Sequence, residues 1–247
     1  MNEILNVQNV SKSFGGVVAN ENISIKVNKG EIVGLIGPNG SGKTTLFNSI
    51  VGHHIINNGK IFFGNNDITN HTIPKIARLG LIRTFQKTKI YSDINCIKNM
   101  RISISHKNEN IFSMFSKVSP EVDFKAEELL KFVGLYKKRF LRAGELSFGQ
   151  QKLLEFAMAL MNEPKMLLLD EPTAGINPTL INSLIDRLKV ANNEFGITLL
   201  VIEHNMRVIM NLAHRIYCLA HGKLLADGRP KEIINNPKVI NAYLGSQ

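Results

Sequence analysis

Residues 1–30 alternate between apolar and polar. In "ISIKVNKGE" Ile23, Ile25 and Val27 fall on one face, and "ILNVQNVSKSF" ahead of it keeps the same period of two. That pattern predicts half-buried strands. It then changes: "EIVGLIG" (31–37), "KMLLLDEP" and "ITLLVIEH" are short unbroken apolar runs, as expected of strands covered on both faces. Helical periods follow them in "KTTLFNSIVG", "PTLINSLIDRLKVANNEFG" and "NMRVIMNLAHR". "GKIFFGNNDIT" (59–69) reads as a strand with a polar turn, "PKIARLGL" as a short helix ending at Gly80, and "IRTFQ" as extended chain. From about 87 to 162 the period is helical. Pro120 and Gly134 bracket a helix over 120–133 whose Leu129, Leu130 and Val133 face inward. "IYCLAHGKLLADG" predicts a final antiparallel hairpin. The whole reads as an α/β chain, a parallel sheet covered by helices, with 105–119 as a loop and no repeats or low-complexity tracts.

Composition adds little to that picture. Hydrophobic residues make up 44% of the 247, enough for a large core, and charged residues 20%, so a disordered chain is excluded. The formal charge of +10 admits nucleic acid, an anionic membrane surface or a small polyphosphate as partner. The basic residues are scattered, and the densest run, "YKKRFLR" at 136–142, is too short for a nucleic-acid patch. Cys96 and Cys218 lack metal-ligand spacing and predict reduced, structural thiols. The first residues lack the basic-then-apolar order of a signal peptide, and no apolar run reaches the ~18 residues of a membrane span. A membrane role would need another chain to supply the span.

Candidate chemistry sits where strands end. "GPNGSGKT" (37–44) fits G-x-x-x-x-G-K-[ST] between a strand and a helix. Gly37, Gly40 and Gly42 let the backbone of 37–45 curl around phosphate oxygens, with Pro38 shaping the turn and the N–H groups of Gly37, Asn39, Gly40, Ser41, Gly42, Lys43, Thr44 and Thr45 available to donate. Lys43 brings a positive charge to the β- and γ-phosphates, and Thr44 suits Mg²⁺. "MLLLDE" (166–171) ends a buried strand in two carboxylates: Asp170 suits the metal shell, Glu171 the positioning or deprotonation of an attacking water. His204 ends "TLLVIEH", and Gln86 follows the extended "IRTF". Further on, "AGELSFGQQ" starts a helix at Ser147, with Gln150 three residues later to complete a capping box. Such a helix start is a second anion site.

Taken together these segments resemble the ATP-binding cassette (ABC) superfamily, over nearly the whole chain. "GPNGSGKT" is similar to Walker A, "MLLLDE" to Walker B with its glutamate, Gln86 to the Q-loop, "LSFGQ" (146–150) to the LSGGQ signature and His204 to the switch histidine. The resemblance implies a P-loop NTPase of the α/β class, with a RecA-like core, an N-terminal antiparallel β-subdomain and an inserted helical subdomain. It implies one nucleotide-binding domain over 1–247, with core and β-subdomain at about 1–86 and 163–247 and the helical subdomain at about 87–162. ATP and Mg²⁺ are the implied ligands, with Thr44, Gln86 and Asp170 around the metal and Glu171, Gln86 and His204 as catalytic residues. Phe14 stands where an aromatic stacks on adenine. Two cassettes are expected head to tail, so that Ser147, Gly149 and Gln150 of one cap the phosphate held by Lys43 of the other.

Three positions depart from the family pattern: Phe14 where Tyr is common, Phe148 for the first signature glycine, and Asn177 in "AGINP" for an Asp. "RTFQ", "LSFGQQ", "AGINP", "IEHNM" and "NNPKVINAYLG" are similar to the ATPases of branched-chain amino acid importers. That implies a peripheral protein on the cytoplasmic face of the membrane, transmembrane permease subunits, a second like or unlike ATPase, an external solute-binding protein and no nucleic acid. Another cargo (urea, amides, lipopolysaccharide) and a soluble non-transport ABC ATPase are the alternatives.

Overall fold

The early alternation becomes two long antiparallel strands, β1 (Glu3–Phe14) and β2 (Val17–Asn28), whose inward residues Leu5, Val7, Val10, Ile23, Ile25 and Val27 are all buried. The computed structural model describes residues 2–84, 90–104 and 119–244. Within them the chain divides into two units. Met1–Arg83, Lys165–Pro172 and Lys189–Gln247 form the first, Thr84–Pro164 and Thr173–Leu188 the second.

The first unit holds both sheets. One is antiparallel, in the order β2-β1-β4-β5, with β4 (Asn58–Phe63) and β5 (Asn66–Asp67) forming the short hairpin. The other is built on the apolar runs β3 (Ile32–Ile36), β7 (Met166–Asp170) and β8 (Thr198–Ile202), every residue of which is buried. With β6 (Leu81–Arg83), β9 (Arg215–Ala220) and β10 (Lys223–Gly228) the order is β10-β9-β3-β8-β7-β6, parallel throughout except for the last hairpin. Parallel neighbours require crossover connections, and helices supply them. Helix α1 (Lys43–Ile50) follows β3, α2 (Ile73–Arg78) precedes β6, and α7 (Met206–Leu212) joins β8 to β9. One apolar cluster joins the inner faces of both sheets to Leu46, Phe47 and Ile50 of α1. Phe47 is fully buried there, and truncating such a ring to alanine costs on the order of 3–5 kcal/mol. The helix that follows the glycine loop is thereby fixed by its apolar face. α8 (Pro230–Ile234) and α9 (Pro237–Leu244) follow β10.

The second unit contains α3 (Cys96–Ile102), α4 (Pro120–Phe132), α5 (Phe148–Leu160) and the beginning of α6 (Pro178–Asn193). Ser119 caps α4 by accepting the Val122 N–H, and Pro120 occupies the first helical position. Arg187 donates to the Phe132 carbonyl at 3.0 Å, tying α6 to the end of α4. Cys96 and Cys218 are buried free thiols.

Candidate functional site

The phosphate-type loop leaves β3 at Gly37, and its conformation explains its sequence. Gly37 has φ 148° and Gly42 φ 96°. A Cβ on Gly37 would lie 2.1 Å from the Leu219 carbonyl oxygen, and one on Gly42 2.4 Å from that of Ala19. Neither position has room for a side chain, and Gly42 occupies a region that L-residues avoid. As the residue that starts α1, Gly42 makes no side-chain cap. The first N–H groups of this helix are therefore left for an outside acceptor. Buried Asn20 donates from Nδ2 to the Gly42 carbonyl at 3.1 Å and steadies the turn.

Lys43 is buried, and its ammonium folds back onto the loop. It donates to the Gly37 and Pro38 carbonyls at 2.8 and 3.0 Å. Burial lowers its pKa, opposed chiefly by Glu171 and more weakly by Cys218 and Asp170. A cleft of about 280 Å³ is walled by Val17, Val18, Ala19, the backbone and side chains of 39–45, Glu171 and His204. His204 Nε2 lies 2.9 Å from Glu171 Oε1 across it. Glu171 reaches that position through a left-handed backbone, φ 49°, with its N–H donating to Ile202 O at 3.0 Å. Thr44 is exposed at the loop's end.

Asp170, the residue before, is only 1% exposed. Its Oδ2 accepts from Arg83 Nη2 at 2.6 Å, while Oδ1 has no hydrogen-bond partner among the described residues. Arg83 also donates to Asn48 Oδ1 of α1 and lies over the Phe47 ring, 5.7 Å from its centroid. Breaking a pair this buried costs about 3–5 kcal/mol, because one charge is left unmatched. Sequence reasoning missed this cation. Its only trace was a lone basic residue ending an apolar strand, and its partner lies 87 positions away.

Not every expected residue joins the cleft. Phe14 is 45% exposed at the end of β1, edge-on to His54 and beneath the Lys12 ammonium, and is not part of the wall. Gln86 lies outside the described residues. Ser147, Gly149 and Gln150 belong to the second unit, where they form the expected capping box. Ser147 Oγ accepts the Gln150 N–H at 3.4 Å, and Gln150 Oε1 accepts the Ser147 N–H at 3.2 Å. Lys138 donates to that same Oε1 at 3.0 Å. Gly149 is set by packing: a Cβ there would meet Leu180 at 2.7 Å and Ile176 at 3.1 Å. Phe148 begins α5 without a positive φ, and its ring lies over Gly175, whose missing side chain leaves the room. Asn177 caps α6 by accepting the Leu180 N–H at 2.9 Å, a role that needs no charge.

A strand, a glycine loop around a buried lysine, and a carboxylate facing a histidine across one cleft are the parts of a nucleoside triphosphatase. A profile described as ABC transporter matches residues 20–174. This chain belongs to the ABC transporter ATP-binding family. A second profile, of the branched-chain amino acid ATP-binding cassette transporter, matches residues 223–247 of the cassette. Across 249 residues the cassette is 40% identical to the probable branched-chain amino acid transport ATP-binding protein LivG of Archaeoglobus fulgidus, covering 99% of this chain and 96% of that one. Its structure is similar to the ADP conformation of MJ1267, an ATP-binding cassette of an ABC transporter, with TM-score 0.89, 36% identity and full coverage of both chains. It is also similar to dimeric MJ0796, a bacterial ABC transporter cassette, with TM-score 0.77 and 25% identity, covering 92% of this chain and 98% of that one. As an ABC ATP-binding subunit the cassette binds nucleotide and couples ATP hydrolysis to transport; cassettes of this family work with membrane-embedded permease subunits, and MJ0796 is dimeric. Among its described residues no helix is long and apolar enough to cross a membrane.

Proposed function

We propose that the cassette hydrolyses Mg·ATP to drive import of branched-chain amino acids, as one of two ATPases on the cytoplasmic face of a permease fed by an external solute-binding protein. The single observation that carries the chemistry is the Glu171–His204 contact at 2.9 Å in the cleft walled by the 39–45 loop. The cargo reading is supported by the name of the Archaeoglobus relative and by the profile matched at 223–247.

On this reading the Lys43 ammonium exchanges the carbonyls of Gly37 and Pro38 for phosphate oxygens, and the uncapped N–H groups at the start of α1 donate to the remaining oxygens. Glu171 takes the proton of the attacking water. His204, already hydrogen-bonded to that carboxylate, keeps it turned into the cleft and orients the water against the terminal phosphate. Phe14 offers its ring to the base. Mg²⁺ favours hard oxygen donors. Asp170 Oδ1, unpartnered among the described residues, and the exposed Thr44 hydroxyl are of that kind, so these two residues fit the ion; the family resemblance adds Gln86, which lies outside the described residues. Bound there, Mg²⁺ would neutralise phosphate charge and orient the transferred group. Ser147, Gly149 and Gln150 would close over the phosphate held by a partner cassette, so that losing the γ-phosphate loosens the pair.

Glu171→Gln keeps shape and backbone but removes the base. Phosphate release from the assembled pair is expected to fall by about 10²–10⁴-fold with nucleotide still bound. Turnover within threefold of the parent would remove Glu171 from this role.

A further inference from the structure

The phosphate loop is held from behind by the last part of the chain. Gly37 is buried, and its N–H donates to Tyr243 Oη of α9 at 2.9 Å, across 206 positions of sequence. The Gly37 carbonyl accepts from Lys43 at 2.8 Å, so this residue is fixed at both ends. Two further contacts come from the β9–β10 hairpin. The Leu219 carbonyl leaves no room for a Cβ on Gly37, and the Gly222 N–H donates to Ser41 O at 3.3 Å. Behind the loop there is also a hollow of about 130 Å³, bounded by Pro38 and Ser41 on one side and His221 and Asn241 on the other. Close packing therefore does not support the outer face of the loop, and directed hydrogen bonds must.

We propose that Tyr243 is a positioning residue for nucleotide binding: its hydroxyl anchors the Gly37 N–H and so sets the angle at which the phosphate loop leaves β3. When Lys43 turns to a phosphate, the Gly37 carbonyl loses its partner, and the Tyr243 bond is the side-chain anchor that remains on that residue. Without it the buried N–H is unsatisfied and is free to seek another acceptor by rotating the loop into the hollow. Burial pushes the Tyr243 phenol up to about 12. The group stays protonated in the neutral range, and its effect is one of geometry. The inference rests on the reading that residues 37–45 carry the nucleotide.

Tyr243→Phe deletes one oxygen and keeps the ring. Binding of ADP labelled on the ribose with N-methylanthraniloyl, followed by fluorescence on the full chain, is expected to weaken about five- to twentyfold, with KM for ATP rising in step and kcat within twofold. Tyr217→Phe is the control. Tyr217 Oη accepts from the Lys26 N–H and donates to the Lys26 carbonyl, at 3.1 and 3.0 Å, away from the loop. It should lower the melting temperature and leave nucleotide affinity alone. Unchanged affinity in Tyr243→Phe, or equal loss in both variants, would overturn the role of Tyr243. Lys43→Ala tests the reading beneath it: parent-like binding there would unseat the loop itself, whatever Tyr243 does.

Discussion

Two helices of this cassette begin at glycine-bearing motifs, and they begin differently. α1 starts from Gly42 in a left-handed turn with no side-chain cap, and the buried lysine that follows is held, among the described residues, by the loop carbonyls of Gly37 and Pro38 and, weakly, Ser41 Oγ. α5 starts from Ser147 with a complete capping box, and a lysine already donates to Gln150. The first start keeps its donors open and relies on the protein behind it to hold its shape. The second satisfies itself. An open start suits a ligand that binds and leaves within one chain. A self-capped start suits a preformed surface, one that keeps its shape whether or not anything rests on it.

The comparison is broken most readily at α1. Lys43→Ala should weaken nucleotide binding by at least about 10²-fold in a titration of the lone chain, since a desolvated charge-assisted contact is lost. Next, Ser147→Arg should bind ATP within about twofold of the parent yet fail to associate on it, which light scattering in the Glu171→Gln background would read. The smallest effect belongs to Ser147→Ala. Loss of a cap should lower stability by about 1 kcal/mol in denaturant melts and leave lone-chain affinity unchanged. If Ser147→Ala also weakened nucleotide binding by the lone chain, the two starts would be serving the same molecule of nucleotide, and the contrast drawn between them would fail.

Local features were legible in the chain before any coordinates. The two-residue period of β1 and β2, the unbroken apolar runs of β3, β7 and β8, the glycine spacing of 37–44 and the Ser147–Gln150 box all act within a few residues, and sequence records them directly. What escaped depends on distant partners. Arg83 is an ordinary exposed-type residue until Asp170 meets it, and Tyr243 an ordinary helix residue until Gly37 does. Gly149 reads from the sequence as a ligand-facing glycine, and the packing adds a second reason for it, since a Cβ there would crowd the Leu180 and Ile176 side chains. Phe14, read as the residue that meets the base, packs edge-on to His54, a contact its own strand does not announce, and lies beneath Lys12, two positions back on the same face.

The backbone at Glu171 has an evolutionary consequence. A glutamate held at φ 49° sits where glycine or asparagine would rest at lower energy, by roughly 1 kcal/mol. Selection for heat resistance alone would therefore favour Gly or Asn at 171. On the proposed role of Glu171, such a change would trade turnover for heat resistance.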